Sequence, residues 1–334
     1  MFYNKNAGYG LLQSILAQNG ILTFGKILVV FNSSNTANFS KMAELFNVDP
    51  DGKVRFYQTL AAAVDAATTN ANDVILLEAG GTSNKVASIL TIDKNRVHVI
   101  GVDPTAFSGR LTNQRCLVSN TGAGAATDTA MIAVTGTGCS FRNIAFKNNW
   151  TVAQNLYAVN LSGANNTLFV NCSFQNLGSA HLTNANAAPL CLTGAEDSEF
   201  VNCTIGEDTL KSTVASSQVC LITGAVTRTT FIGCLFRQYT SQSTAVMVNI
   251  VGNGSNNLQL FRNCAFVNRV NGGTTTAVAV KSDATTAGDV VFDVTTFASG
   301  VTDFATAAVG NTGMFIASPV PTAGTSGIAV QPTA

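Results

Sequence analysis

A short acidic stretch holds the side chains of this chain best suited to chemistry. Glu196, Asp197 and Glu199 stand together, Glu207 and Asp208 follow, and Lys211 lies just beyond. Cleaving a glycosidic bond takes two carboxyl groups facing each other across it, at a separation that sets the stereochemical outcome. Glu196 and Glu207 flank a segment, Phe200 to Ile205, that reads as a strand, so they converge only if the loops on both sides fold back. Exposed turn residues are the better reading. A lyase would also need basic residues beside an acidic metal site, and Arg228, Arg237, Arg262 and Arg269 are scattered without such partners. With Trp150 the lone tryptophan, the aromatic platform for sugar stacking is thin as well.

His98 and His181 are the two histidines. His98 sits in the alternating run Val97-His98-Val99, a strand-surface or satisfied core position, and His181 falls in a loop. Neither has a Ser or carboxylate nearby in sequence to complete a triad, and metal-ligand spacing is absent. Four of the eight Cys, namely Cys172, Cys203, Cys234 and Cys264, recur at one position of a repeat where Ile144 and Thr295 also occur. A metal site would not accept Ile. Strand neighbours ~4.8 Å apart could be bridged by a disulfide, but an apolar equivalent favours small buried thiols. Cys116, Cys139, Cys191 and Cys220 lack Cys-x-x-Cys spacing and read the same way. Gly122-Ala123-Gly124 and Gly252-Asn253-Gly254 are loop glycines without the strand-then-helix pattern of a phosphate cradle. The sequence thus predicts no catalytic, cofactor-binding or metal-ligating set, no cofactor, and a protein that is not an enzyme.

The element that positions these residues is a repeated phrase, Phe-x-Asn-Cys-x-Phe. It begins at Phe141, Phe169, Phe200, Phe231, Phe261 and Phe292, at intervals of 28, 31, 31, 30 and 31 residues. Such a period marks stacked repeat units. Within the phrase the two aromatic residues have opposite parity, so a straight strand would send them to opposite faces. A bend at the Asn (Asn143, Asn171, Asn202, Asn263) removes the conflict, and Gly233 replaces it with the residue most tolerant of left-handed backbone. Val294 breaks this rule, which predicts a different bend or a fraying end in the last turn.

Before each phrase lies a second apolar run of period two: Met131 to Val134, Tyr157 to Leu161, Leu190 to Leu192, Val219 to Ile222 and Met247 to Val251. Each unit therefore holds at least two strands, a corner and a polar loop, which makes the chain an all-β parallel solenoid. Over roughly residues 54–305 it resembles the right-handed parallel β-helix superfamily, the pectate-lyase-like fold. Phe56 to Ala67 has helical apolar spacing and leads through Asn70 to Asp73 into a strand at Val74 to Gly81, like the amphipathic cap and first strand of such β-helices. A cap covers the exposed core and strand edge at the solenoid's end. Ile89 to Ile92 and Val97 to Ile100 form the next turn.

Charge is sparse, with 18 basic and 18 acidic residues making 11% of the 334, against a usual ~25%. Zero formal net charge leaves no long-range attraction to nucleic acid or an anionic membrane. It also suits a surface held against other proteins. No apolar run reaches 18 residues, and the N-terminus lacks a signal-peptide pattern, so synthesis in a host cytoplasm is expected.

Residues 1–53 stand outside the repeat and read as an N-terminal arm and docking segment: an arm over Met1 to Gly25, expected to anchor the protein to its partner, a strand over Lys26 to Phe31, a helix over Phe39 to Phe46 and a turn at Asp49 to Gly52. Residues 54–305 form the β-helix with its capping helix, so that the N-terminal end reads as a small α/β cap, and 306–334 an extended C-terminal tail. The strand Gly25 to Val30, the bridge Phe39 to Val54 and the cap Leu60 to Ala67 resemble β-helix structural proteins of tailed bacteriophages. That resemblance implies a virion component. With no legible catalytic set, the expectation is a capsid decoration, or cement, protein that bridges capsomers on the capsid surface. Its implied partner is the major capsid protein, and its implied form a homo-oligomer, with a trimer as one arrangement. The competing expectation is a tail spike or fibre that binds or cleaves host surface polysaccharide through Glu196, Glu199 or Glu207.

Overall fold

A left-handed residue at the same corner of successive turns shapes this molecule. The computed structural model describes residues 16–17, 25–31, 55–78, 84–102, 116–251, 258–269, 277–282, 290–293, 295–307 and 314–316. Within them Asn143, Asn171, Asn202, Gly233 and Asn263 have φ of 58, 51, 52, 62 and 51°. The bend splits each of these five phrases into two short strands on different sheets, so the apolar residues at both of its ends point inward. The corner stays within the backbone ladder: Asn171 N–H donates to the Val201 carbonyl (2.9 Å) and Asn202 N–H to that of Ile232 (2.8 Å).

Among the described residues three parallel sheets result, the first with eleven strands and the second and third with eight each. A turn runs from the third sheet (Ala130–Val134) to the first (Ser140–Arg142), bends at Asn143, and continues in the second (Ile144–Asn148). A longer loop then leads back to the third. The chain is an all-β parallel solenoid, as the spacing predicts.

Register turns the repeat into columns. Phe141, Phe169, Phe200, Phe231, Phe261 and Phe292 pair rung to rung in the first sheet. Their rings stack at 4.7, 5.1, 4.8, 5.0 and 5.2 Å between centroids. Phe146, Phe174, Ile205, Phe236 and Phe266 form the facing column in the second sheet, edge-on to the first. All belong to one continuous core.

The last turn departs from the phrase. Phe266 pairs with Ala298, and Phe297, expected inside, is 54% exposed. Its corner is one residue longer, so Thr296 rather than Thr295 takes the thiol position. Strict alternation also fails in the third sheet: Ala158 with Val159 and Met247 with Val248 are adjacent and both buried.

The cap forms as expected. Helix α1, Leu60–Ala66, starts at Thr59, whose hydroxyl accepts from Ala62 N–H, and it buries Leu60, Ala63 and Val64 in the core. Strand Val74–Glu78 follows, then Leu90–Ile92 and His98–Val102 in the next turn. Strand Ile27–Val30 lies within the first sheet, between Phe56–Tyr57 and Val74–Glu78. The helix expected over residues 39–46, the turn at 49–52 and residues 317–334 of the expected tail lie outside the described residues; the tail expected from 306 does not begin there, because Asp303–Ala307 lies in the third sheet and Met314–Ile316 in the first.

Candidate functional site

Strands of the first sheet alternate inward Phe with outward residues, so two columns face away from the core. At the N-terminal end this outer face is sealed. Leu16, Ile27, Val29, Phe56, Val74, Leu76 and Ile100 form a separate buried cluster against Phe31. Leu16 of the expected arm is therefore part of the fold, at 6% exposure. Past Ile100 the columns continue through Arg142, Val170, Val201, Ile232 and Arg262 on one side and Leu168, Glu199, Thr230, Leu260 and Val291 on the other. The aliphatic members of these rungs are half-buried, and Glu199 and Arg262 are exposed.

At the margin of the sealed part, His98 lies directly across from Ser140, with 2.8 Å between Nδ1 and Oγ. Burial first, then the Arg142 charge, holds the imidazole below its ordinary pKa. A neutral ring can accept the hydroxyl proton at that nitrogen. A nucleophile and a base are thus in contact. Asp73, which acts on His98 electrostatically, has its carboxylate engaged by the N–H groups of Lys26 (2.6 Å) and Thr68 (2.7 Å). Sequence reading missed this pair because His98 and Ser140 are 42 residues apart; aligning the irregular first turns would have revealed it.

The carboxylates do not converge. Glu196 and Asp197 both hold Arg228, at 3.2 and 2.5 Å, on an exposed corner. The Asp197 carboxyl is held below its ordinary pKa by that guanidinium. Glu199 points outward from the first sheet. Asp208 pairs with Arg237 at 3.4 Å, and Arg269 covers the Tyr239 ring at 5.1 Å. Glu207 departs from the expected exposed turn, being 4% exposed. Its carboxylate accepts from the N–H groups of Thr209 (2.8 Å) and Leu210 (3.0 Å). His181 lies in a short helix, α2 (Ser179–Thr183), and is buried 3.7 Å from that carboxylate.

The thiols form a column in the core. Cys172, Cys203, Cys234 and Cys264 each reach the carbonyl of the phrase-opening Phe one turn below, at 3.5, 3.6, 3.3 and 3.4 Å. In the last turn Thr296 Oγ1 donates the equivalent bond to Phe261 at 3.2 Å. Cys116 pairs with Ile144 and joins the same column, a membership its spacing concealed. Burial pushes the Cys220 and Cys234 thiols well up, and that of Cys191 to about 11.

No family model matches the sequence, and no curated protein matches it either. Solved structures share the winding. Pectin methylesterase PemA from Erwinia chrysanthemi is 14% identical, covers 86% of this chain and 90% of its own, and gives a TM-score of 0.49. The Aspergillus niger pectin methylesterase is 14% identical over 81% and 85%, with a TM-score of 0.45. ORF18 of Geobacillus virus E2 is 12% identical, covers 95% of this chain and 65% of its own, and gives 0.46. These likenesses describe the solenoid and carry no substrate or partner across. They do correct one expectation. The expectation that this chain is not an enzyme is not upheld: the solved structures that share its winding include pectin methylesterases.

Proposed function

We propose that this protein is a virion structural component that decorates a bacteriophage capsid and stiffens it by bridging capsomers. Its partner in this reading is the major capsid protein and its working form a homo-oligomer. One observation carries the proposal: past Ile100 the outer face of the first sheet has no cover among the described residues. Val170, Val201 and Ile232 follow one another in register on three rungs, with Leu168 and Leu260 in the neighbouring column. Arg142, Glu199 and Arg262 are the charges among them. A flat aliphatic face with few charges suits lasting protein contact better than exposure to water. The balance of 18 basic and 18 acidic residues removes the repulsion that keeps proteins apart.

Purified protein added to capsids that lack it should co-sediment with them, appear at fixed lattice positions by cryo-electron microscopy, and raise the temperature at which the shells open. Absence of binding, together with release of sugar from a host polysaccharide by the same sample, would overturn this reading in favour of a spike.

A further inference from the structure

At the ends of five successive second-sheet strands, from Ile144–Asn148 to Ala265–Arg269, one buried polar side chain stands at the start of the long loop. Asn148 pairs in register with Asn176, and Gln238 with Asn268. Asn148 Oδ1 accepts from Trp150 N–H, and Asn176 Oδ1 from Gly178 N–H. Their amide N–H groups donate in turn to backbone carbonyls, Asn148 to Tyr157 and Asn176 to Leu156. Between Asn176 and Gln238 the column holds Glu207, placed there by the pairing of Phe174 with Ile205 and of Gly206 with Arg237.

Glu207 accepts from its loop's N–H groups as the amides do, but it has no N–H of its own. The buried His181 ring stands in that place. It comes from the loop of the turn below, residues 177–187, and meets the loop 207–217. Its Nε2 is 3.7 Å from Glu207 Oε1, the Leu210 carbonyl acts on the ring electrostatically, and Ser212 Oγ donates to the His181 carbonyl at 3.3 Å. A neutral amide serves elsewhere in the ladder, so a buried carboxylate facing an imidazole is a departure that the loop turn alone does not require.

We propose that His181 and Glu207 form an acid-sensitive latch that ties the long loops of two successive turns together. Among the described residues Glu207 is the titratable group that faces the ring; Asp208, next to it, is turned to Arg237. Burial outweighs the Glu207 charge and the Leu210 carbonyl and lowers the imidazole pKa in the closed state. The closed loops are therefore favoured above the ordinary imidazole range and lose that advantage as pH falls through it. Opening would rearrange Leu182 and Leu210, which these loops already hold 39% and 36% exposed.

The chain has two histidines, so its imidazole C2–H spectrum has two signals, and His98→Gln assigns them. The His181 signal should titrate below the ordinary value of about 6.5. Hydrogen exchange in residues 177–187 and 207–217, corrected for intrinsic rate, should rise several-fold from about pH 7.5 to about pH 5. His181→Gln should remove that rise. His181 titrating at or above the ordinary value, or an unchanged acid response in His181→Gln, would overturn the latch. If that variant does not fold, the wild-type titration still decides.

Discussion

At the scale of the residue, backbone conformation explains more of this protein than side-chain chemistry does. Asn at four corners and Gly at a fifth serve one need, the left-handed bend, and that need is readable because both residues tolerate it. Gly233 has a second reason to be Gly: a Cβ there would lie 2.4 Å from Asn202 Oδ1. Gly233→Ala should therefore cost at least the left-handed penalty of about 1–2 kcal/mol. Combining it with Asn202→Ala should show coupling in thermal denaturation, since the second change removes the obstructing oxygen. Strictly additive effects would place the cost in the backbone alone. The thiol positions were legible for the same reason, as a small buried residue every turn. Glu207 was not, because nothing adjacent to it in sequence distinguishes a carboxylate facing solvent from one sealed beneath the neighbouring loop.

At the scale of the element, register decides what the phrase can only suggest. Phe200, which opens its phrase, and Phe297, which closes the last one, both read as core aromatics in the repeat, yet one is fully buried between Phe169 and Phe231 and the other is 54% exposed. Phe200→Ala should destabilise by about 3–5 kcal/mol in denaturant unfolding. Phe297→Ser should stay within about 0.5 kcal/mol. A large loss in the second would mean that Phe297 is packed against other residues in solution. The slip arises because Asp293 accepts from Asn263 N–H and from both the N–H and the hydroxyl of Thr295, which holds a longer corner than an Asn would. The His98–Ser140 pair was hidden for a related reason. It joins strands from the irregular early turns, where no phrase counts the rungs, and a period cannot predict a partner that lies outside it.

At the scale of the whole molecule, the first sheet has two outer surfaces with different fates. Its early rungs are covered by the chain's own Leu16, Phe31 and Phe56, whereas the later rungs keep half-buried aliphatic residues with no such cover among the described residues. The sequence reading placed docking in the N-terminal arm, but removing residues 1–25 would strip Leu16 from a packed cluster, and lost binding could then reflect lost structure. Ile232→Lys makes a cleaner test. Its side chain points outward between Val201 and Arg262, so the substitution should leave stability within about 0.5 kcal/mol. In a desolvated contact an unpaired ammonium costs several kcal/mol, and about 3 kcal/mol would weaken capsid binding more than a hundredfold. Co-sedimentation with shells, read beside an unchanged melting curve, separates the two effects. Full affinity in a folded Ile232→Lys protein would move the contact away from this face.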